Sequence, residues 1–145
     1  MEPNPPIPAP RPVVLFVDDE PAILEGIRDT CRREPYDVLT ANSAVAALTC
    51  LAKQHVDVVV SDECMPGVSG SELMSRVRQE YPEVLRIILT GQASLEVSVR
   101  AVQEGLYRFL SKPVTPDELT RVVRDALRLK SVAEERALRH RSAGD

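Results

Sequence analysis

The sequence predicts a doubly wound α/β fold: a five-stranded parallel sheet of order 2-1-3-4-5, with five helices on its two faces. Two observations carry that expectation. Five short aliphatic runs alternate with five stretches whose apolar residues recur at helical spacing. Such alternation implies parallel βαβ units joined by right-handed crossovers. The length of 145 residues suits one core, and 2-1-3-4-5 is the natural strand order at this size.

Residues 1–12 hold six prolines (Pro3, Pro5, Pro6, Pro8, Pro10 and Pro12) and read as a disordered leader, since proline at this density cannot feed a strand ladder. Val13 to Val17 is an apolar run ending in Asp18 and Asp19, as expected of a strand covered on both faces. Pro21 fits a first helical turn, with Ile23, Leu24, Ile27 and Cys31 behind it at helical spacing. Tyr36 to Thr40 is the second strand. Asn42 or Ser43 then caps a helix carrying Val45, Ala46, Leu48, Leu51 and Ala52. Val56 to Ser61 is the third strand, ending at Asp62. A loop with Pro66, Gly67 and Gly70 leads to a helix bearing Leu73, Met74 and Val77. Val84 to Thr90 is the fourth strand, followed by a helix with Leu95, Val99 and Val102. Tyr107 to Leu110 is the fifth, ending in Ser111, Lys112 and Pro113. Thr115 caps the last helix, with Glu118 as its capping-box partner. This flavodoxin-like domain spans 13–128. Residues 129–145 form a helical extension or linker, in which Leu129, Val132, Ala133 and Leu138 read either as a connector seam or as a solvated helix end.

Composition narrows the function classes. Hydrophobic residues make up 43% of the chain with no Trp, so the core should be aliphatic. A formal net charge of -4 argues against a generic nucleic-acid surface. Cys31, Cys50 and Cys64 are an odd set without paired spacing, which fits free thiols in a reducing cytosol. No apolar run reaches membrane-spanning length, and no basic-then-apolar leader opens the chain. A soluble, cytoplasmic protein with no membrane partner is expected.

Ligands of open parallel sheets bind beyond the carboxyl ends of the strands, where strand order reverses. Asp18 and Asp19 close strand one, Asp62 strand three, Thr90 strand four and Lys112 strand five. Three carboxylates brought into one pocket repel, and must take up protons or a cation. Oxygen ligands with open coordination positions suit magnesium, with manganese as a substitute. A lysine supplies a compact charge for a phosphoryl oxygen, and a threonine hydroxyl donates to another. These are the parts of in-line phosphoryl transfer, with a carboxylate as acceptor. Singly, each residue has a blander reading: helix-start acids, a loop carboxylate, an unremarkable strand-end threonine, a solvated lysine. Their joint placement sets the signal apart.

Four segments match a known pattern in order: Val14-Leu15-Phe16-Val17-Asp18-Asp19-Glu20, Val59-Val60-Ser61-Asp62-Glu63-Cys64-Met65-Pro66-Gly67-Val68-Ser69-Gly70, Ile88-Leu89-Thr90-Gly91 and Phe109-Leu110-Ser111-Lys112-Pro113. Their separations also fit, with 43 residues from Asp19 to Asp62, 28 on to Thr90 and 22 on to Lys112. Over residues 12–128 the chain resembles the receiver domains of bacterial two-component response regulators. The resemblance implies that Asp62 accepts a phosphoryl group from a sensor histidine kinase, a phosphotransfer protein or a small phosphodonor. It implies magnesium on Asp19 and Asp62, on Asp18 through a water, and on the backbone carbonyl of Cys64. Lys112, Thr90 and Gly91 would bind the phosphoryl group, and the Lys112–Pro113 bond would be cis. Thr90 and Phe109 would form the switch, altering the face made by the fourth helix, fifth strand and last helix.

Departures from the family pattern are modest. Gly91 replaces a frequent Ala and leaves the phosphoryl site more open to water. Cys64 and Gln92 occupy variable positions that tune hydrolysis, and Phe109 lacks the hydroxyl of the commoner Tyr. The expected protein is a phosphorylation switch that catalyses only its own phosphorylation and dephosphorylation, rather than an enzyme acting on outside substrates. A phosphohydrolase of the haloacid-dehalogenase-like class needs a second Asp two residues past the nucleophile, where this chain has Cys64. A scaffold without the chemistry would not need the acidic pair, Asp62, Thr90 and Lys112 together. Isolated His55 and His140 read as surface residues. The output is either that of a stand-alone relay or that of a longer protein, such as a cyclic-dinucleotide or other signalling enzyme. The last helix is a candidate homodimer surface.

Overall fold

The computed structural model describes residues 10–91, 105 and 108–143, with side chains through residue 139. Five strands form one parallel sheet: β1 Val13–Val17, β2 Asp37–Ala41, β3 Val58–Asp62, β4 Leu85–Thr90 and β5 Arg108–Ser111. Their order is β2-β1-β3-β4-β5, as the βαβ alternation predicts. Helices α1 Pro21–Thr30, α2 Ala44–Lys53 and α3 Gly70–Glu80 connect the strands, and a C-terminal helix, Pro116–Ala143, closes the chain. The fourth predicted helix with Leu95, Val99 and Val102, along with Gln92, Tyr107 and Pro3 to Pro8, lies outside the described residues.

Local chemistry sets the helix starts. Ser43 Oγ accepts the Ala46 N–H at 3.1 Å, so Ser43, of the two candidates, is the cap. Ser69 Oγ accepts from Glu72 N at 3.2 Å, and Thr115 Oγ1 from Glu118 N at 3.1 Å, each meeting a first-turn N–H that has no helical partner. Gly67 at φ +82° supplies the left-handed turn ahead of α3.

Among the described residues, strand starts differ from the periodicity at three places. β3 begins at Val58, because Asp57 just ahead of it gives its side chain to β1. Val56 is buried without being in the strand. β2 takes Asp37–Ala41 rather than Tyr36 to Thr40, since Tyr36 turns its ring into the core and its hydroxyl to Cys31 Sγ at 3.3 Å. β4 starts one residue later than the apolar run, with Val84 buried just before it.

Two apolar layers flank the sheet. On one face Leu15, Val17 and Val59 pack with Ala47 and Leu51 of α2 and with Leu73, Met74 and Val77 of α3. On the other Val14, Phe16, Val58 and Val60 pack with Leu24 of α1 and with Leu119, Val122, Val123 and Ala126 of the C-terminal helix. Alternate residues of β1 and β3 thus serve opposite layers, which is why these strands read as unbroken apolar runs. The three cysteines are free. No described helix is long and apolar enough to cross a membrane.

The C-terminal helix continues without interruption past residue 128 to Ala143. Glu34 holds it by a two-pronged ion pair with Arg124, at 2.6 and 2.8 Å. Asp57 holds it again at Lys130, 3.1 Å away. Burial pushes the Asp57 carboxyl up, but the Val13 N–H, His55 and Lys130 outweigh it and hold its pKa below the usual value. A folded-state pKa below the unfolded value of about 3.9 gives stabilisation that is fully present above that pH and is lost as pH falls through the folded value. Asp57→Asn should therefore lower the unfolding free energy at neutral pH by about 3 kcal/mol, as expected when one partner of a buried pair is removed. In urea titrations the gap between variant and parent should close below about pH 4.

Candidate functional site

The carboxyl ends of four strands converge. β1 hands over to Asp18, whose N–H still bonds the Ala41 carbonyl at 3.1 Å and whose Oδ1 accepts the Glu20 N–H at 2.9 Å. The local turn role expected of a helix-start acid and a place in the pocket therefore coexist in one side chain. β3 ends in Asp62 and β4 in Thr90, both buried. β5 ends at Ser111, and the next residue, Lys112, donates its N–H to the Thr90 carbonyl at 2.7 Å.

Asp18, Asp19 and Asp62 each offer a carboxylate oxygen, all within 4.8 Å of one another. Asp18 and Asp62 are buried, while Asp19 stands at the more open rim. Lys112 Nζ lies 2.7 Å from Asp62 Oδ1. Burial raises the Asp18 pKa, and Asp62 and Asp19 add to it, against the opposing Glu20 N–H and Lys112. Burial works against the Lys112 charge, but Asp62 and then Asp18 outweigh it and hold its pKa above the ordinary value. One ammonium thus faces three acids. The deficit of positive charge, and a donor set made only of hard oxygens with one open side, fit a small divalent cation such as magnesium.

The remaining sequence candidates fall around this pocket. Gly91 follows β4 and is exposed, and a methyl group added there would meet no described residue within 4 Å. Phe109 is half-buried, pairs with Ile88 across β4–β5 and packs on the α2–α3 layer. The Lys112–Pro113 peptide is cis. Cys64 is exposed in the loop after β3. His55 is exposed, yet it is held 2.9 Å from Asp57 and lies away from this pocket.

Comparison with known proteins agrees with the geometry. The family profile described as "Response regulator receiver domain" matches residues 14–124. The chain belongs to the response regulator receiver domain family. The hydrogenase transcriptional regulatory protein HoxA of Cupriavidus necator is 39% identical over 115 residues, covering 79% of this chain and 24% of that protein. The transcriptional regulatory protein GlrR of Escherichia coli is 37% identical, covering 79% and 26%. The receiver therefore spans about a quarter of the length of these curated relatives. Among solved structures, the signal receiver domain of an HD domain-containing protein from Pseudomonas fluorescens is 37% identical, with a TM-score of 0.79, covering 85% of this chain and 99% of that one. The signal receiver domain of a putative Luxo repressor protein from Vibrio parahaemolyticus is 25% identical, with a TM-score of 0.82, covering 86% and 95%.

Sequence reasoning missed two features of the receiver's site. Gly70 opens α3 so close to the strand end that a Cβ there would fall on the Asp62 carbonyl oxygen and 2.9 Å from Glu63 Cα. Its N–H bonds the Glu63 carbonyl at 3.0 Å, so the missing side chain sets how near α3 lies to Asp62. The signal was present as a glycine at a helix start directly behind its cap Ser69, a position that a helix does not by itself reserve for glycine. The second feature is an apolar groove of about 510 Å³ reaching from Asp18 and Lys112 along Ile23, Ile27, Val114 and Leu119. Ile23 is 40% exposed there, although it recurs at helical spacing with the buried Leu24.

Proposed function

We propose that Asp62 is the phosphoacceptor of this receiver, taking a phosphoryl group from a sensor histidine kinase, a phosphotransfer protein or a small phosphodonor. The observation that carries this reading is Asp62 at the foot of the carboxylate cluster with Lys112 Nζ 2.7 Å from its Oδ1. An Asp62 oxygen attacks phosphorus, the bond from phosphorus to the donor's nitrogen or oxygen breaks, and the leaving group takes the electron pair and then a proton from solvent. Asp18, Asp19 and Asp62, with the Cys64 carbonyl, would hold magnesium, which supplies positive charge for the phosphoryl oxygens. Lys112 moves from the Asp62 carboxylate to a phosphoryl oxygen, so its charge is already in place. Thr90 donates its hydroxyl to another, and the open space at Gly91 leaves water a path for hydrolysis. Withdrawal of Thr90 toward the phosphoryl group frees room for the Phe109 ring, altering the face of which β5 and the C-terminal helix are part.

The groove beginning at Asp18 and Lys112 supports a protein phosphodonor, because Ile23, Ile27 and Leu119 offer an apolar seat for a partner beside the carboxylate pocket. Residues 1–12 as leader, 13–128 as receiver and 129–145 as extension remain our division of the chain. We assign it to the cytoplasm, with an output domain or partner protein beyond the extension. Incubation with acetyl phosphate and magnesium should add one base-labile phosphoryl group by intact mass, and chelation of the metal should suppress it. Asp19→Asn should weaken magnesium binding by about tenfold or more in calorimetric titration, since one unit of charge and a ligand are lost together. Labelling that is indifferent to chelator and to Asp19 would overturn the assignment.

A further inference from the structure

A second charged cluster sits at the opposite end of the sheet. Asp57 stands just ahead of β3, and its Oδ2 accepts the N–H of Val13, the first residue of β1, at 2.8 Å. Its Oδ1 meets His55 Nε2 at 2.9 Å and Lys130 Nζ at 3.1 Å. His55 is open to water, whereas Lys130 is 8% exposed. The Lys130 nitrogen is sealed from solvent and makes no well-directed hydrogen bond among the described residues, so the nearby Asp57 carboxylate is what compensates its charge. Among the helix residues whose side chains are described, Lys130 is also the last buried one, and residues 131–139 are all exposed.

An ammonium held away from water is unstable unless an opposite charge stays beside it. Burial of Lys130 is therefore conditional on the charge of Asp57. If that charge is lost, the ammonium must regain water, and movement of the last docked turns of the helix off the sheet opens it to solvent. Beyond Ala126 and Leu127, which pack on the core, apolar packing offers little resistance, because Leu129 is 49% and Val132 38% exposed. A helix end released from its packing is marginal by itself. Loss of the Asp57 charge would thus favour a released helix end, with Lys130 in water, over the docked one.

We propose that Asp57 and Lys130 form a charge latch that fixes where the C-terminal extension leaves the domain. β3 begins beside Asp57 and ends in Asp62, so one buried strand holds the latch and the carboxylate pocket in a common frame. The inference stands apart from the phosphoacceptor assignment, because it draws on none of the pocket's side chains.

Amide hydrogen exchange on the full chain tests the latch in the parent, Asp57→Asn, Lys130→Met and the double variant. Asn keeps an acceptor for Val13 but drops the charge, and Met keeps the aliphatic stem but drops the ammonium. Asp57→Asn should speed exchange at residues 126–131 by about tenfold or more, while Lys130→Met and the double variant stay within about threefold of the parent. Should Asp57→Asn fail to fold, the double variant restores folding, since a lone buried ammonium is the defect. Parent-like exchange in Asp57→Asn overturns the latch, as does a double variant as fast or as unfolded as Asp57→Asn.

Discussion

Asp62→Asn should abolish phosphoryl incorporation, cutting the rate of labelling by acetyl phosphate at least about a thousandfold, the scale on which loss of a reacting nucleophile is felt. The amide would lack an anionic oxygen to attack phosphorus, and it removes one of the three clustered carboxylates. Its shape is nearly unchanged, so the fold should persist. Neighbouring backbone ties do not involve the Asp62 carboxylate: the Ser61 hydroxyl bonds the Asp62 carbonyl at 2.9 Å, and Glu63 N bonds the Leu89 carbonyl at 2.9 Å. Thermal unfolding of the variant should therefore lie close to the parent. Lys112 loses its ion-pair partner and turns to Asp18, which already contributes to its raised pKa. Intact mass spectrometry after labelling checks the prediction, and a base-labile phosphoryl group on the variant would move the acceptor role to Asp18 or Asp19.

That Asp62 could be singled out before any coordinates reflects what a parallel α/β sheet does with its sequence. The inner strands β1, β3 and β4 are largely covered on both faces and read as aliphatic runs, so a polar or charged residue at the carboxyl end breaks the run visibly. Asp18, Asp19, Asp62, Thr90 and Lys112 were legible for that reason, and the strand order followed from the crossovers. Side chains that act on other elements were not legible. Asp57 looks like one more polar residue before a strand, yet it ties β1, β3 and the C-terminal helix together through Val13 and Lys130. Lys130 reads as a solvated helix cation, and nothing in its own neighbourhood marks it as buried. Strand starts were misplaced by one or two residues at Tyr36, Val56 and Val84, where apolar side chains enter the core from a turn. Periodicity reports burial, and burial does not require a ladder hydrogen bond.

Gly70 is the clearest case of a functional constraint carried by an absent side chain, and Gly70→Ala should disable the pocket without touching a ligand. The added Cβ would clash with the Asp62 carbonyl oxygen and press on Glu63 Cα at 2.9 Å. Both obstacles are backbone, so neither can rotate away. Either α3 retreats from the sheet or the Asp62–Glu63 peptide shifts, and in both cases the Asp62 carboxylate moves relative to Asp18, Asp19 and Lys112. Overpacking of this kind costs about 1–3 kcal/mol, and alanine's better helix propensity returns little at the first residue of a helix. Magnesium affinity and labelling rate should each fall by about tenfold or more, as expected when a reacting group is displaced by a fraction of an ångström to an ångström. Gly26→Ala is the matched control: it lies within α1, is exposed, and a Cβ there meets nothing within 4 Å. That substitution should raise stability by about 0.5–1 kcal/mol and leave magnesium binding and labelling as in the parent. If Gly70→Ala behaves like Gly26→Ala in both assays, close approach of α3 to Asp62 is not what positions the acceptor.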